Sequence, residues 1–245
     1  MPEPQSASSI RLDTVTLDRS GRRVLDALSL DLPERRIGLV GRNGSGKSSL
    51  VRLLNGLLEP TAGRVTVHGQ EAGAEASMVG FIFQNADHQL IFPTVAEEVA
   101  FSLEMAGRAR KQAKAQALAY LESQGIADWA DRPVHHLSEG QKQWLCILAV
   151  LVGEPKVLVL DEPFSSLDLA NRLALLRRID ALDQQVLLIS HDLDALNSFD
   201  RILWLEEGRL RADGPPAEIL PAYRADALDW AESQQIGDGP GGRPC

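Results

Sequence analysis

Ile37-Gly38-Leu39-Val40-Gly41-Arg42-Asn43-Gly44-Ser45-Gly46-Lys47-Ser48 reads as a short apolar strand running into a loop with the spacing G-x-x-x-x-G-K-[ST]. A glycine-rich loop that opens a helix leaves several backbone N–H groups convergent and uncapped, with the positive end of the helix dipole behind them. Polyphosphate is what such a nest binds. Lys47 is placed to reach β- and γ-phosphates, and Ser48 to offer a hydroxyl to Mg²⁺. Ser49 is counted with the same nucleotide-binding set, Gly41 to Ser49. The helix-compatible run from Lys47 to Asn55 supports this reading over a chance glycine turn.

Working outward, the chain has an α/β pattern. Extended segments at Ile10–Leu17 and Ala27–Leu32 flank a turn at Gly21, and Arg64–Val67 and Val79–Phe83 also read as strands. Residues 95–124 turn helical. Gly140–Val152 is a helix with Ser138 suited to its N-cap. Val157–Leu160 and Val186–Ile189 are continuous apolar runs, the kind buried in a parallel sheet, and a helix over 169–182 joins them as a βαβ unit. Ile202–Leu205 and Gly208–Ala212 read as a terminal hairpin. The expected fold is therefore an α/β P-loop domain: a mixed sheet core, an N-terminal antiparallel layer, and a helical insertion.

The boundaries expected are a flexible start over 1–9, one nucleotide-binding domain over 10–213 with a helical subdomain at about 85–152, a helical extension over 214–235 after Pro215 and Pro216, and a disordered Gly/Pro-rich tail over 236–245. In the extension, Ile219, Leu220, Tyr223, Ala227 and Trp230 fall near one helical stripe. That stripe either packs on its own domain or extends a contact between two copies.

Composition narrows the class. The net charge of −9 argues against a nucleic-acid partner, because phosphate-backbone binding needs a basic face. The longest apolar run, Trp144 to Val152, is half a membrane crossing. Residues 1–9 lack the shape of a signal peptide. Cys146 and Cys245 are too few for a disulfide framework, and Cys146 reads as core. Cytoplasmic residence is expected.

Three further clusters carry chemistry. Asp161 and Glu162 end the strand Val157–Leu160, on the side of a parallel sheet where ligands bind. The amides and hydroxyl at Leu137-Ser138-Glu139-Gly140-Gln141 form a second anion-binding helix start. Gln84 follows a strand, and His191 follows Val186–Ser190. In this order and at these separations, with Ser166-Leu167-Asp168 between, the set resembles the ATP-binding cassette ATPases from Ile10 to Asp213.

The resemblance implies roles. Asp161, Gln84 and Ser48 would hold Mg²⁺, Glu162 would act as base toward the attacking water, Gln84 would contact both, and His191 would meet the γ-phosphate. Ser138, Glu139, Gly140 and Gln141 would complete the site of a second subunit, head to tail, with Asp168 crossing the interface. ATP and Mg²⁺ are the implied cofactors and a homodimer the implied assembly. Two departures stand out: Glu139 occupies a position that is usually glycine, and Arg19 stands where an aromatic residue stacks on adenine. Arg19 can stack through its guanidinium plane, with looser base selectivity.

Phe83 to Leu90 and Pro93 to Phe101 resemble energy-coupling-factor importers, which take up vitamins, cobalt or nickel. The chain as a whole is most similar to the ATPases of biotin transporters in that class. That likeness implies an integral membrane coupling subunit, a substrate-binding membrane subunit, and a peripheral place on the cytoplasmic face of the cell membrane. Asp87, Glu97 and Glu98 are expected to pair with arginines of the coupling subunit. The competing readings are a non-transport cassette ATPase and a nucleotide-binding regulator that does not hydrolyse. A guanine-reading Asn-Lys-x-Asp motif is missing from the sequence.

Overall fold

The computed structural model describes residues 10–75 and 77–237. In chain order, the antiparallel strands β1 (Ile10–Arg19) and β2 (Arg22–Leu32) precede β3 (Arg36–Val40) and helix α1 (Lys47–Leu54). Strands β4 (Ala62–Val67), β5 (Gln70–Glu71) and β6 (Val79–Ile82) lead to helices α2 (Val95–Met105), α3 (Arg110–Ser123) and α4 (Glu139–Leu151). Then come β7 (Val157–Asp161), α5 (Leu169–Asp180), β8 (Gln185–Ile189), β9 (Arg201–Glu206), β10 (Arg209–Gly214) and α6 (Pro216–Gly237).

Two sheets form, in the orders β2-β1-β4-β5 and β10-β9-β3-β8-β7-β6. The first is antiparallel throughout; in the second all pairs are parallel except β9 with β10. The hairpin expected at the end of the chain therefore also extends the core, since β9 lies parallel to β3. Every residue of β3 and β8 is buried, because each has a strand on both sides and packed layers above and below.

Alternate side chains divide the core. Ile37, Leu39, Val157, Val159, Leu187 and Ile189 face α1 and the antiparallel sheet. Leu158, Leu160, Val186, Leu188 and Ile202 face α4, α5 and α6 on the other side. A third core lies inside the helical insertion, where Ala113, Ala117 and Leu121 of α3 meet Val95, Val99 and Leu103 of α2 and Leu145 of α4. The small alanines at spacing four let the backbones approach. The helical stretch 95–124 is two helices and not one, interrupted at Gly107, whose φ is +85°.

The first part of the α6 stripe packs on its own domain: Ile219, Leu220 and Tyr223 are buried, and Tyr223 meets the Trp204 ring edge-on at 5.2 Å, whereas Trp230, from the same expected stripe, is exposed. Pro216 at its first position costs no hydrogen bond. The helix runs to Gly237, two residues into the stretch expected to be disordered. The remaining tail, 238–245, and the start, 1–9, lie outside the described residues. No helix among the described residues is long and apolar enough to cross a membrane.

Candidate functional site: the phosphate loop and the strand ends around it

Strands β3, β6, β7 and β8 point their C-terminal ends to one edge of the sheet, and each carries a motif there. A cavity of about 510 Å³ opens at that edge. It is lined by Val24, Asn43 to Ser49, Gln84, Asp161, Glu162, Ile189 and His191. The crevice beyond parallel strand ends is where such sheets bind ligands.

The loop between β3 and α1 has its shape because of its glycines. Gly41 has φ +150°, and a Cβ there would lie 2.3 Å from the Leu205 carbonyl oxygen. Any other residue would push the loop off β9. Gly46 is the N-cap of α1 and offers no side chain, so the first-turn amides face the cavity uncapped. Ser45 Oγ is buried with no partner. An unpaired hydroxyl and free amides around a cradle fit a polyphosphate.

Lys47 is 9% exposed, and its ammonium donates to the carbonyls of Gly41 at 2.7 Å and Arg42 at 3.0 Å. Burial lowers its pKa; the Glu162 and Asp161 carboxylates pull it back up. The loop's own carbonyls thus hold the lysine. Ser48 is exposed at the cavity.

Glu162 sits at φ +51°, outside the strand and helix regions, at the turn leaving β7. Its Oε2 accepts the His191 N–H at 3.2 Å, while Oε1 is buried without a hydrogen-bond partner. His191 Nε2 lies 3.4 Å from that oxygen but is not aligned to bond it. Burial raises the pKa of Glu162, the His191 amide opposes this most, and the Asp161 charge adds a smaller push upward. Burial also raises Asp161, against Arg52 and Lys47. A carboxylate pushed toward neutrality, with one oxygen unpaired, is placed to take a proton.

The model of the family described as "ABC transporter" matches residues 25–165. The biotin transport ATP-binding protein BioM of Rhodobacter capsulatus is 52% identical over 221 residues, 89% of this chain and 94% of that one. The energy-coupling factor transporter ATP-binding protein EcfA1 of Lactiplantibacillus plantarum is 40% identical over 77% of this chain and 70% of its own. Among solved structures, CbiO1 of Clostridium perfringens, described as part of the ABC transporter complex CbiONQ, superposes with a TM-score of 0.76 at 27% identity. That superposition covers 93% of this chain and 96% of CbiO1.

The chain belongs to the ABC transporter ATPases, in the energy-coupling-factor group. As an ABC ATPase it binds ATP and couples its hydrolysis to transport. Of the residues expected at its site, Asn43 to Ser49, Gln84, Asp161, Glu162 and His191 come together at the cavity. Gly41 shapes the loop from behind. Arg42 turns away toward α6, its guanidinium bound to Asp226.

Arg19, at the end of β1, is exposed and is not among the cavity residues; Val24 of β2 lines that wall instead. Sequence reading missed Val24 because an aliphatic residue on a strand carries no signal. With Val24 and not an aromatic ring on the β2 side of the cavity, ring stacking worth about 0.5–1.5 kcal/mol is not offered to a base there. GTP should therefore compete with ATP within about tenfold in a displacement titration. A preference for ATP above roughly a hundredfold contradicts this.

The signature segment of this ABC ATPase lies away from its own cavity. Ser138 and Gln141 form a capping box on α4: the Ser138 Oγ accepts the Gln141 N–H, and the Gln141 side chain accepts the Ser138 N–H at 3.0 Å. The Ser138 hydroxyl proton stays available to a phosphate oxygen. Glu139 is held by Lys142 at 3.0 Å, and Lys142 also meets Asp87 at 2.9 Å. That ammonium partly neutralises the carboxylate at the departure from glycine. Gly140 faces Asn171, whose amide and side chain both bond the Asp168 carboxylate at the start of α5.

The three acids expected to meet arginines of a membrane partner are engaged within the chain. Asp87 pairs with Lys142. Glu97 closes a capping box with Thr94 on α2. Glu98 is 5% exposed and accepts the Ile91 and Phe92 N–H groups at 2.9 and 2.8 Å, pinning the loop before α2. The same stretch instead exposes Phe83 and Ile91.

Proposed function

We propose that this chain powers an importer for a vitamin, biotin first, or for a cobalt or nickel ion. Two copies pair head to tail on the cytoplasmic face of the membrane, docked on an integral coupling subunit that works with a substrate-binding membrane subunit. The observation that carries the paired arrangement is the separation within one chain of two anion-binding helix starts. Asn43–Ser49 line a cavity, and Ser138 does not. The names of BioM and of the CbiONQ complex support the solutes. Exposed Phe83 and Ile91 beside α2 suit an apolar helical partner.

In the proposed cycle, phosphate oxygens replace the Gly41 and Arg42 carbonyls as acceptors for Lys47, and the α1 amides and Ser45 Oγ bind alongside. Ser48, Gln84 and Asp161 offer a hydroxyl, an amide and one carboxylate, the hard oxygen donors that fit Mg²⁺ bound mainly through substrate and water. When bound, that ion neutralises β- and γ-oxygens. Glu162 Oε1 takes the proton from water as its oxygen attacks phosphorus and ADP leaves. His191 holds the γ-oxygens. Ser138 of the neighbour closes the site, and Asp168 lies at the seam.

Mixing two crippled forms tests the pairing. Lys47→Ala spoils the loop and Ser138→Ala the signature, so each homodimer has two damaged sites. A mixed pair restores one intact site. Reconstituted with the membrane subunits, the mixture should hydrolyse ATP faster than either form alone; no gain over their average sinks the head-to-tail arrangement.

A further inference from the structure

Arg42 occupies a variable position in the phosphate loop, yet it serves α6. Its Nη2 donates to Asp226 Oδ2 at 2.5 Å and approaches the Asp226 carbonyl oxygen at 3.3 Å. Its guanidinium carbon lies 5.1 Å from the Trp230 ring centroid. Asp226 Oδ1 takes Arg211 at 2.7 Å, Arg211 meets Glu206 at 2.8 Å, and Glu206 reaches Arg42 at 4.0 Å. The result is a closed ring of alternating charge across the loop, β9, β10 and α6. Arg211 in turn lies over Trp204 at 4.1 Å.

Asp226, 19% exposed at its side chain, bridges both arginines. One turn back, burial raises the Tyr223 hydroxyl above its ordinary value, while the Arg42 charge and the Gly41 amide lower it. Thus α6 grips the loop at Arg42, next to Gly41. Those residues supply the two carbonyls that hold Lys47.

We propose that α6 positions the phosphate loop, with Asp226 as the positioning residue acting through Arg42, and so sets the affinity for nucleotide. This rests on the nucleotide reading of the loop. A loop with three left-handed glycines loses much backbone entropy when it is held in one shape. An anchor that holds it beforehand removes that cost from binding. The anchor is rigid because α6 is seated by buried Ile219, Leu220 and Tyr223. The chemistry at Glu162 does not involve the clamp.

The test uses the full chain and Mg·ADP titrated by calorimetry, with ATP hydrolysis and melting followed in parallel. Asp226→Asn and Arg42→Ala should each weaken Mg·ADP binding about fivefold to tenfold. For Asp226→Asn, which lies outside the phosphate loop, KM for ATP should rise alike, with kcat kept. The double variant should be no weaker than Arg42→Ala within about twofold, since one linkage is removed twice. Arg224→Ala, on α6 but paired with Asp194, should bind as wild type does. If Asp226→Asn melts lower yet binds as wild type, or if the two losses multiply in the double variant, the clamp does not set affinity. If the wild-type chain binds no nucleotide, it is the loop reading that fails.

Discussion

Glu162→Gln should lower kcat of the membrane-assembled ATPase by about 10²–10⁴-fold while making the free chain more stable. The loss follows from removing the base: an amide in the same place cannot accept the proton of the attacking water. The gain follows from electrostatics. Burial, and then the neighbouring Asp161 charge, raise the Glu162 pKa in the folded chain. As pH climbs from the ordinary glutamate value to that raised one, the unfolded chain releases its proton first, and stability falls. Above the window the charged carboxylate is a standing penalty; below it the penalty is absent. A neutral amide avoids it. Solvent at the cavity mouth limits the gain to about 1 kcal/mol, or roughly 2–4 °C in Tm for a chain of this size. The advantage should disappear below the glutamate value of about 4.3. Calorimetry at neutral and acid pH, beside phosphate-release assays, checks both halves. Equal hydrolysis by the variant and the wild type would remove Glu162 from the mechanism and leave a nucleotide-binding regulator.

Arg36→Met should destabilise the fold by about 3–5 kcal/mol, measured as a shift in denaturant midpoint at constant slope. Arg36 begins β3 and is 7% exposed. Its guanidinium donates to the carbonyls of Arg35 at 3.1 Å, Gln184 at 2.8 Å, Ile179 at 3.1 Å, Asp180 at 3.0 Å and Leu182 at 2.5 Å. One side chain thus caps the C-terminal end of α5, where carbonyls lack helical partners and the dipole favours a cation. Burial, followed by the Arg35 charge, lowers its pKa, while Asp180 and Asp200 oppose that. Methionine fills part of the volume but strips the Asp180 and Gln184 carbonyls of their donor; those of Arg35, Ile179 and Leu182 keep the Val186 N–H, the Leu182 N–H and the Arg35 guanidinium. Lysine should recover only a fraction, because an ammonium cannot reproduce the planar fork. A loss under about 1 kcal/mol for Arg36→Met would show that water replaces the guanidinium freely.

Legibility in the sequence followed range. The phosphate loop, Ser138 at its N-cap and the βαβ around Asp161 were readable because each depends on residues a few positions apart. The placement of β9 beside β3 was not readable, since a hairpin pattern says nothing of the strand it joins. The fates of Asp87, Glu97 and Glu98 were hidden too. Acidic residues at a helix start look alike whether they cap, pair or face a partner; only the packing of Lys142 and of the loop before α2 separates them.

Local spacing by itself determined that this chain has a glycine-built cradle for phosphate, an acid pair at a strand end and a capped second helix start. The tertiary structure alone decided that Arg42 belongs to Asp226, 184 residues away, that Arg36 holds the end of α5, and that the wall beside the cradle is Val24 and not Arg19. The reason is physical: a turn or cap is specified by neighbouring dihedrals and donors, whereas a distant ion pair exists only once the sheet order has brought its two elements together.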